Sequence, residues 1–341
     1  MVTGMQTTFG WYLAHQHGLI TRKQALRSGL EEDQVRRLLK TGEWIAVRRG
    51  VYTTGAYWAT LDPNVGRPRL EVWAGVLVTT VPHVVSHDSA AYLHGLPILA
   101  EMPRFVHVTR DGALGGTKNG IKHHLAPRTP EQVVFIDDHP VLDLPRTVAD
   151  IARAHGARHG IVAVNSALRA GVRRKAIKAS IEAMEFWPNV RVARRVADWG
   201  DKRCETVLED LVLLMLKEMA IGKIHVQWGF RDSTREAWVD FRVGRHLIEP
   251  DGHLKYLPVG QGGVATQPPE KVLWEEKRRQ DWLCGYKLGI SRPTWTDLQP
   301  DTWERTKERL YREIRDTNSR FGTSVADLAP YIIRTPRRGR R

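Results

Sequence analysis

Three carboxylates in the C-terminal third of the chain, Asp240, Glu249 and Asp251, have the spacing most suggestive of chemistry. Between the first two lies Gly244-Arg245, a Gly-X pair suited to a type II′ hairpin turn. With the chain reversed there, Val243 pairs with His246, Phe241 pairs with Ile248, and Asp240 faces Glu249. Period-two alternation puts Asp251 on the same face, one pair further along, although Pro250 restricts that position to an edge or a strand end. Facing carboxylates repel, and a fold tolerates them when one is protonated or a cation sits between them. Oxygen-only donors favour Mg2+ or Mn2+, which orients a water and polarises a phosphodiester. Upstream, Glu205 and Glu209 are spaced i, i+4 on a helix whose other face is Val207, Leu208, Leu211, Val212, Leu214 and Met215, so one of them can point toward the sheet. Lys255 follows closely, and Lys277 lies in the helical stretch Glu276-Lys277-Arg278-Arg279-Gln280-Asp281. A lysine beside the attacked phosphate would stabilise its developing charge. The competing interpretation is an ordinary polar hairpin face.

Phosphodiester chemistry needs a chain that holds nucleic acid, and the charge suits that. The 341 residues carry 52 Lys and Arg against 38 Asp and Glu, a net charge of +14. Each cation laid on a phosphate releases a counterion. Charge alone does not separate nucleic acid from an anionic membrane face or a general solubility role. The N-terminal residues make the distinction. Thr21-Arg22-Lys23-Gln24 fits a capping box that opens a short helix ending at Ser28-Gly29. A second helix is expected from about Glu31 to Thr41, with Gly42 placed to end it in the left-handed conformation. Val35, Leu38 and Leu39 form its inner face, which leaves Arg36, Arg37 and Lys40 together on the opposite one, as a recognition helix entering a major groove requires. Trp44 to Tyr52 then reads as a hairpin with Arg48-Arg49-Gly50 at its tip, a wing for DNA backbone or minor groove. The alternative is a small helical bundle whose basic face is only solvated.

These sites need elements to hold them, and the chain divides accordingly. A winged helix-turn-helix is expected over residues 1–60, a mixed α/β middle domain over 68–190, a further α/β domain over 201–320, and a basic tail over 327–341. The fold class is α/β (α+β), with turn-rich linkers near residues 62–68 and 197–201 and a surface loop over 258–269. No apolar run approaches the roughly 20 residues that cross a bilayer. The first thirty residues lack an export pattern, and Cys204 and Cys284 read as separate buried thiols; both features point to a cytoplasmic location. Seven histidines of the middle segment, His83, His87, His94, His107, His123, His124 and His139, show no established zinc spacing. His87 and His94, seven apart on an expected helix, can share a face; hydrogen-bonded structural histidines are the expectation.

Two resemblances follow from these residues. Gly18-Leu19-Ile20-Thr21-Arg22-Lys23-Gln24-Ala25 and the segment from Gly42 to Tyr52 resemble the N-terminal domain of the AbiEi antitoxins. The likeness continues through Val85-Ser86-His87-Asp88-Ser89-Ala90-Ala91-Tyr92-Leu93-His94-Gly95-Leu96, Val106-His107-Val108-Thr109 and Leu144-Pro145-Arg146-Thr147-Val148-Ala149-Asp150, and so covers about residues 7–170. It implies a type IV toxin–antitoxin component that represses its own operon, a cognate toxin protein as partner, and Arg36, Arg37, Lys40, Arg48 and Arg49 as DNA contacts. Over about residues 204–300 the order helix-Glu, strand-Asp, strand-Glu, helix resembles the PD-(D/E)xK endonuclease fold, in its very-short-patch-repair-like branch. That likeness implies Asp240 and Glu249 as Mg2+ ligands, with Glu209 or Asp251 completing the shell and Lys255 or Lys277 assisting. The pattern departs at Asp251, which stands where a lysine is expected. An active endonuclease and a regulator with an inactive nuclease-like domain are both open on these residues.

Overall fold

The structure is a computed structural model that describes residues 2–99, 104–112, 115–251 and 269–334, with only the backbone described at 2–8 and 269–273. Lys255, the expected loop over 258–269 apart from its last residue, and the tail beyond Arg334 lie outside the described residues. The chain falls into two compact units, one of residues 1–159 and 172–193, the other of residues 160–171 and 194–341.

The first unit opens with α1 (Val2–His15), β1 (Ile20–Thr21), α2 (Arg22–Arg27), α3 (Glu32–Thr41), β2 (Trp44–Arg48) and β3 (Val51–Thr54). Local sequence sets each of these boundaries. The Thr21 hydroxyl accepts from the Gln24 amide at 3.2 Å while the Gln24 side chain accepts from the Thr21 amide at 2.8 Å, so the capping box is made in both directions. Gly42 ends α3 at φ +79°, a conformation that a side chain would strain. Ile20, Ala25, Val35, Trp44 and Tyr52 form the core, with Leu38 and Leu39 packed against it. The strands pair in the order β1-β3-β2, which completes a winged helix-turn-helix.

Helices α4 (Gly55–Thr60) and α5 (Gly66–Val78) lead into a six-stranded mixed sheet. Its strands are β4 (Val84–Val85), β5 (Val106–Thr109), β6 (Gly116–Lys118), β7 (Ile121–His124), β8 (Val133–Ile136) and β9 (His139–Leu142), in the order β6-β7-β5-β4-β9-β8, with α6 (His87–Leu93) between β4 and β5. Leu19 and Val51 of the winged helix are buried in one cluster with Leu70, Trp73, Val85 and Val141. The reader and the middle segment therefore share a core within a single unit, where the sequence suggests two domains. Helix α7 (Leu144–Arg169) is broken at Gly156, φ +83°; α8 (Arg174–Glu182) and α9 (Val190–Trp199) follow. At the start of α7 lies a buried ion pair, Arg146 Nε to Asp150 Oδ2 at 2.8 Å, with the two side chains 2% and 1% exposed. Arg146 also donates to the Pro127 carbonyl at 2.9 Å and to Gln132 at 3.1 Å. The Trp187 ring lies against both Arg146 and Arg153, at 4.8 and 4.7 Å from its centroid.

The second unit runs α10 (Val207–Met219), β10 (Ile224–Arg231), β11 (Glu236–Val243), β12 (His246–Ile248), α11 (Pro269–Cys284), β13 (Gly289–Ser291), α12 (Trp303–Phe321) and β14 (Ile332–Ile333). Its sheet has the order β13-β12-β11-β10-β14, antiparallel except for the parallel pair β12 and β13. The reversal falls at Gly244-Arg245, with Gly244 at φ +59°, and gives the pairs Val243 with His246 and Phe241 with Ile248. Both cysteines are free thiols; Cys204 is buried, but Cys284, at the end of α11, is exposed rather than buried as its helical pattern suggests.

His246 is enclosed between the hydroxyls of Thr317, at 2.8 Å from Nδ1, and Ser291, at 2.7 Å from Nε2. Burial lowers its pKa to about 4. The unfolded chain takes up that proton near 6.5, whereas the folded chain holds it off until about 4. This residue's contribution is therefore full above pH 6.5 and is lost as pH falls toward 4. Urea midpoints measured at pH 7 and pH 5 should fall in the native chain, and fall less in His246→Asn.

Candidate functional site

The reader presents its cations outward. With Val35 buried and Leu38 and Leu39 half-buried on the inner side of α3, Arg36, Arg37 and Lys40 are all exposed. Arg36 pairs with Asp33 at 3.1 Å, an exposed i, i+3 contact that water largely screens. Arg37, Lys40 and Arg49 have no carboxylate partner among the described residues. Arg49 and Gly50 form the hairpin tip, where φ of +75° at Gly50 allows the tight reversal. Arg49 also lines a groove of about 490 Å³ together with Arg110, Lys118 and His123 of the middle sheet. Arg110 and Lys118 had no motif to announce them; the groove depends on strand pairings that bring distant residues beside the wing.

Arg48 behaves differently from its neighbour. Its guanidinium turns back onto the middle segment and donates to the Asn119 carbonyl at 2.5 Å. It also lies against Gly75 of α5, where a Cβ would come within 2.7 Å of it. Burial lowers its pKa, with Glu71 opposing. Of the five cations that the resemblance implies as DNA contacts, Arg48, the last residue of β2, is the one tied into the middle segment, whereas Arg49 stands exposed in the turn.

In the second unit the structure gathers most of the expected carboxylates but fills the space among them with cations and amides. Glu249 accepts both guanidinium branches of Arg279, at 2.7 and 2.6 Å, and Arg292 approaches at 3.4 Å. Arg292 in turn pairs with Glu276 at 3.0 Å. Burial alone would lower the Arg279 pKa, but the bonds to Glu249 and the nearby charges of Glu249, Glu276 and Asp240 raise it. Glu209 is the third residue of α10, and its amide donates to the capping Thr206 hydroxyl at 3.2 Å. Its carboxylate accepts from the Glu205 amide at 2.8 Å and the Thr206 hydroxyl at 3.0 Å. The Gln227 amide donates to Asp240 at 3.2 Å and reaches Glu209 at 3.4 Å. Gln227 has φ of +52° and interrupts the ladder opposite Asp240, a local strain that sets its side chain between the two carboxylates.

This donor set does not fit Mg2+ or Mn2+. A divalent ion at Asp240 and Glu249 would share its position with the Arg279 guanidinium, which already takes both Glu249 oxygens. Beyond Ile248 the chain keeps its register against β13, with Glu249 N to Ser291 O at 3.0 Å, Asp251 N to Pro293 O at 2.9 Å and a bridge from Asp251 to Thr294, so Pro250 does not shift the alternation. Lys277 is exposed, whereas Glu276 and Arg279, three apart on the same helix, face the carboxylates. Arg279 lies in the same helical stretch as Lys277, and it is the arginine, not the lysine, that meets the carboxylates. The i, i+3 spacing from Glu276 was the available signal.

Six of the seven histidines divide into two groups, while the buried Nδ1 of His123 has no hydrogen-bond partner among the described residues. His83, His94 and His139 each bond a carbonyl, of Val81 at 2.9 Å, Leu142 at 2.8 Å and Asp137 at 2.7 Å, in keeping with structural roles. His94 caps the end of α6 and does not meet His87 at its start. His87, His107 and His124 instead come together, each with a ring nitrogen within 4.8 Å of the others.

Residues 12–54 match the family described as "Transcriptional regulator, AbiEi antitoxin". That span runs from within α1 to the end of β3 and so covers most of the winged helix. Among solved structures, the chain is similar to the crystal structure of the RV2827C protein from Mycobacterium tuberculosis, with 12% identity, a TM-score of 0.37, and coverage of 62% of this chain and 80% of that one. No curated protein matches the chain. No helix among the described residues is long and apolar enough to cross a membrane.

Glu249 is 7% exposed and depends on Arg279 for its compensation. Arg279→Ala should destabilise the chain by about 3 kcal/mol, the usual cost of leaving one half of a buried pair uncompensated. Urea denaturation followed by tryptophan fluorescence checks this; a change under about 0.5 kcal/mol, the range of ordinary surface substitutions, would mean that the pair is not structural.

Proposed function

We propose that this chain is a DNA-binding transcriptional regulator of the antitoxin type, whose winged helix reads an operator. The observation that carries the proposal is the outward face of α3, where Arg36, Arg37 and Lys40 stand exposed opposite the Val35 core, beside a wing tipped by Arg49. In this reading α3 enters the major groove, and Arg49, with Arg110 and Lys118 along the adjoining groove, follows the phosphate backbone. Arg48 positions the wing from inside. A cognate toxin protein as partner is part of the same reading.

Replacing Arg36, Arg37 and Lys40 together by Ala should weaken binding to DNA from the chain's own promoter region by at least about 100-fold at physiological salt. Arg49→Ala should reduce the slope of log affinity against log salt by about 1, one phosphate contact. Arg48→Ala should lower thermal stability and leave that slope unchanged. Electrophoretic shift titrations over a salt series separate these cases; unaltered affinity in the triple variant would reject α3 as the reading element.

Endonuclease activity is the finer alternative for the second unit. The arginine-filled carboxylate network favours a structural role there, so supercoiled plasmid should remain intact with Mg2+ or Mn2+. Nicking by the native chain that disappears in Glu249→Ala would restore the nuclease reading.

A further inference from the structure

Residues 87, 107 and 124 are far apart in sequence, and the middle sheet brings them together. Strands β5 and β7 run parallel with His107 opposite Lys122 and His124 opposite Thr109, so His107 and His124 lie on one face, two positions apart. Nδ1 of His107 is 3.1 Å from Nε2 of His124. His87 enters from the start of α6 and lies against the His124 ring, with centroids 3.8 Å apart. Its Nδ1 is 3.0 Å from the Ser86 hydroxyl, which leaves Nε2 as the nitrogen directed at the cluster. The Ser89 hydroxyl accepts from the His107 backbone amide at 2.8 Å, and the Ser86 amide donates to the His107 carbonyl at 3.0 Å, so α6 and β5 are locked together at this point.

Two further observations single the cluster out. His87 has φ of +52°, a conformation unusual for a residue with a side chain and held here by its surroundings. His87 and His124 also form part of the wall of a cavity of about 650 Å³, which Asp150, Arg153 and Trp187 help to line. The imidazoles thus meet beside a space that a small molecule or water can enter. Asp88 bonds Nε2 of His155 at 3.0 Å, and these two with His107 form a second set within 4.8 Å, which sets a carboxylate beside the first.

We propose that His87, His107 and His124 form a binding site for a divalent transition-metal ion of the zinc class, with an open coordination position toward the cavity. Nitrogen-only donors select such ions over Mg2+ or Ca2+. A tetrahedral ion about 2.0–2.1 Å from each nitrogen spaces its ligands about 3.3 Å apart. The His107–His124 separation of 3.1 Å is already close to that spacing, and the His87 ligand atom lies within 4.8 Å of both. Three imidazoles leave the ion its full positive charge, which the nearby Asp88 offsets. With three protein ligands the fourth position is left for water or a ligand in the cavity, the arrangement of an open rather than a purely structural site.

The test uses the full chain, stripped with chelator and titrated with Co2+ and Zn2+. The expected result is one equivalent of Co2+ bound with the intense visible bands of a four-coordinate site, displaced by Zn2+, and a rise in the unfolding temperature on Zn2+ addition. His124→Gln, at the partly exposed edge of the cluster, should weaken Zn2+ affinity by on the order of 100-fold while keeping the native circular dichroism. His107→Ala should do the same, and the exposed His15→Ala should not. Absence of the four-coordinate bands in the native chain would overturn the proposal. So would Zn2+ affinity unchanged in a folded His124→Gln. The three rings would then be a packed, hydrogen-bonded histidine cluster only.

Discussion

The ion pair between Arg146 and Asp150 is the contact on which the middle of the first unit depends. Neither side chain reaches solvent, and burial pushes the Asp150 carboxyl upward while Arg146 and Arg153 pull it back. Two charges in so dry a place persist only when their remaining hydrogen-bonding capacity is met. Much of it is met by the loop after β7 through Pro127, by the turn before β8 through Gln132, and by Arg153. Trp187, from the segment after α8, completes the arrangement against the two guanidinium groups. The pair thereby joins four stretches that share no continuous secondary structure. The cavity beside His87 and His124 has Asp150, Arg153 and Trp187 in its wall, so its shape follows from the same contact.

The chain uses positive charge in two opposite ways, and the first unit holds both. In the second unit, Arg279 and Arg292 are held by Glu249 and Glu276, and Arg169 by the buried Asp210, whose pKa burial raises to about 6 against the pull of that arginine. Those guanidinium groups are internal cement. On α3 and the wing tip, the cations project into water. A net charge of +14 conceals this division, since only the second kind is available to a phosphate backbone.

What could be read from the sequence was what local rules decide. The capping box at Thr21, the left-handed Gly42 and the turn at Gly244 each depend on a few adjacent residues, and each stands where the spacing put it. That turn pairs Phe241 with Ile248, and the carboxylates of Asp240 and Glu249 both act on Arg279. What lies between them was not legible, because Arg279 arrives from a helix thirty residues further on. The histidines show the same limit more sharply. No spacing rule joins positions 87, 107 and 124; the parallel pairing of β5 with β7 brings the last two together, and the bonds that Ser86 and Ser89 make with His107 bring in the first. Arg48 and Arg49 look equivalent in sequence; the end of β2 falls between them, and the carbonyl that holds Arg48 lies 71 positions away.

Leu19 and Val51 are buried against Trp73, Val85 and Val141, so the reader has no separate interior of its own on that side. Such a head is poorly suited to exchange between unrelated proteins by gene fusion. Cut away near residue 60, it would present a bare oily flank to water, and a transplanted copy would need a new host surface shaped to receive it. Descent with its present neighbour is the easier route. Changes of target preference are then expected to arise by substitution on the outward face of α3, within a frame that stays the same.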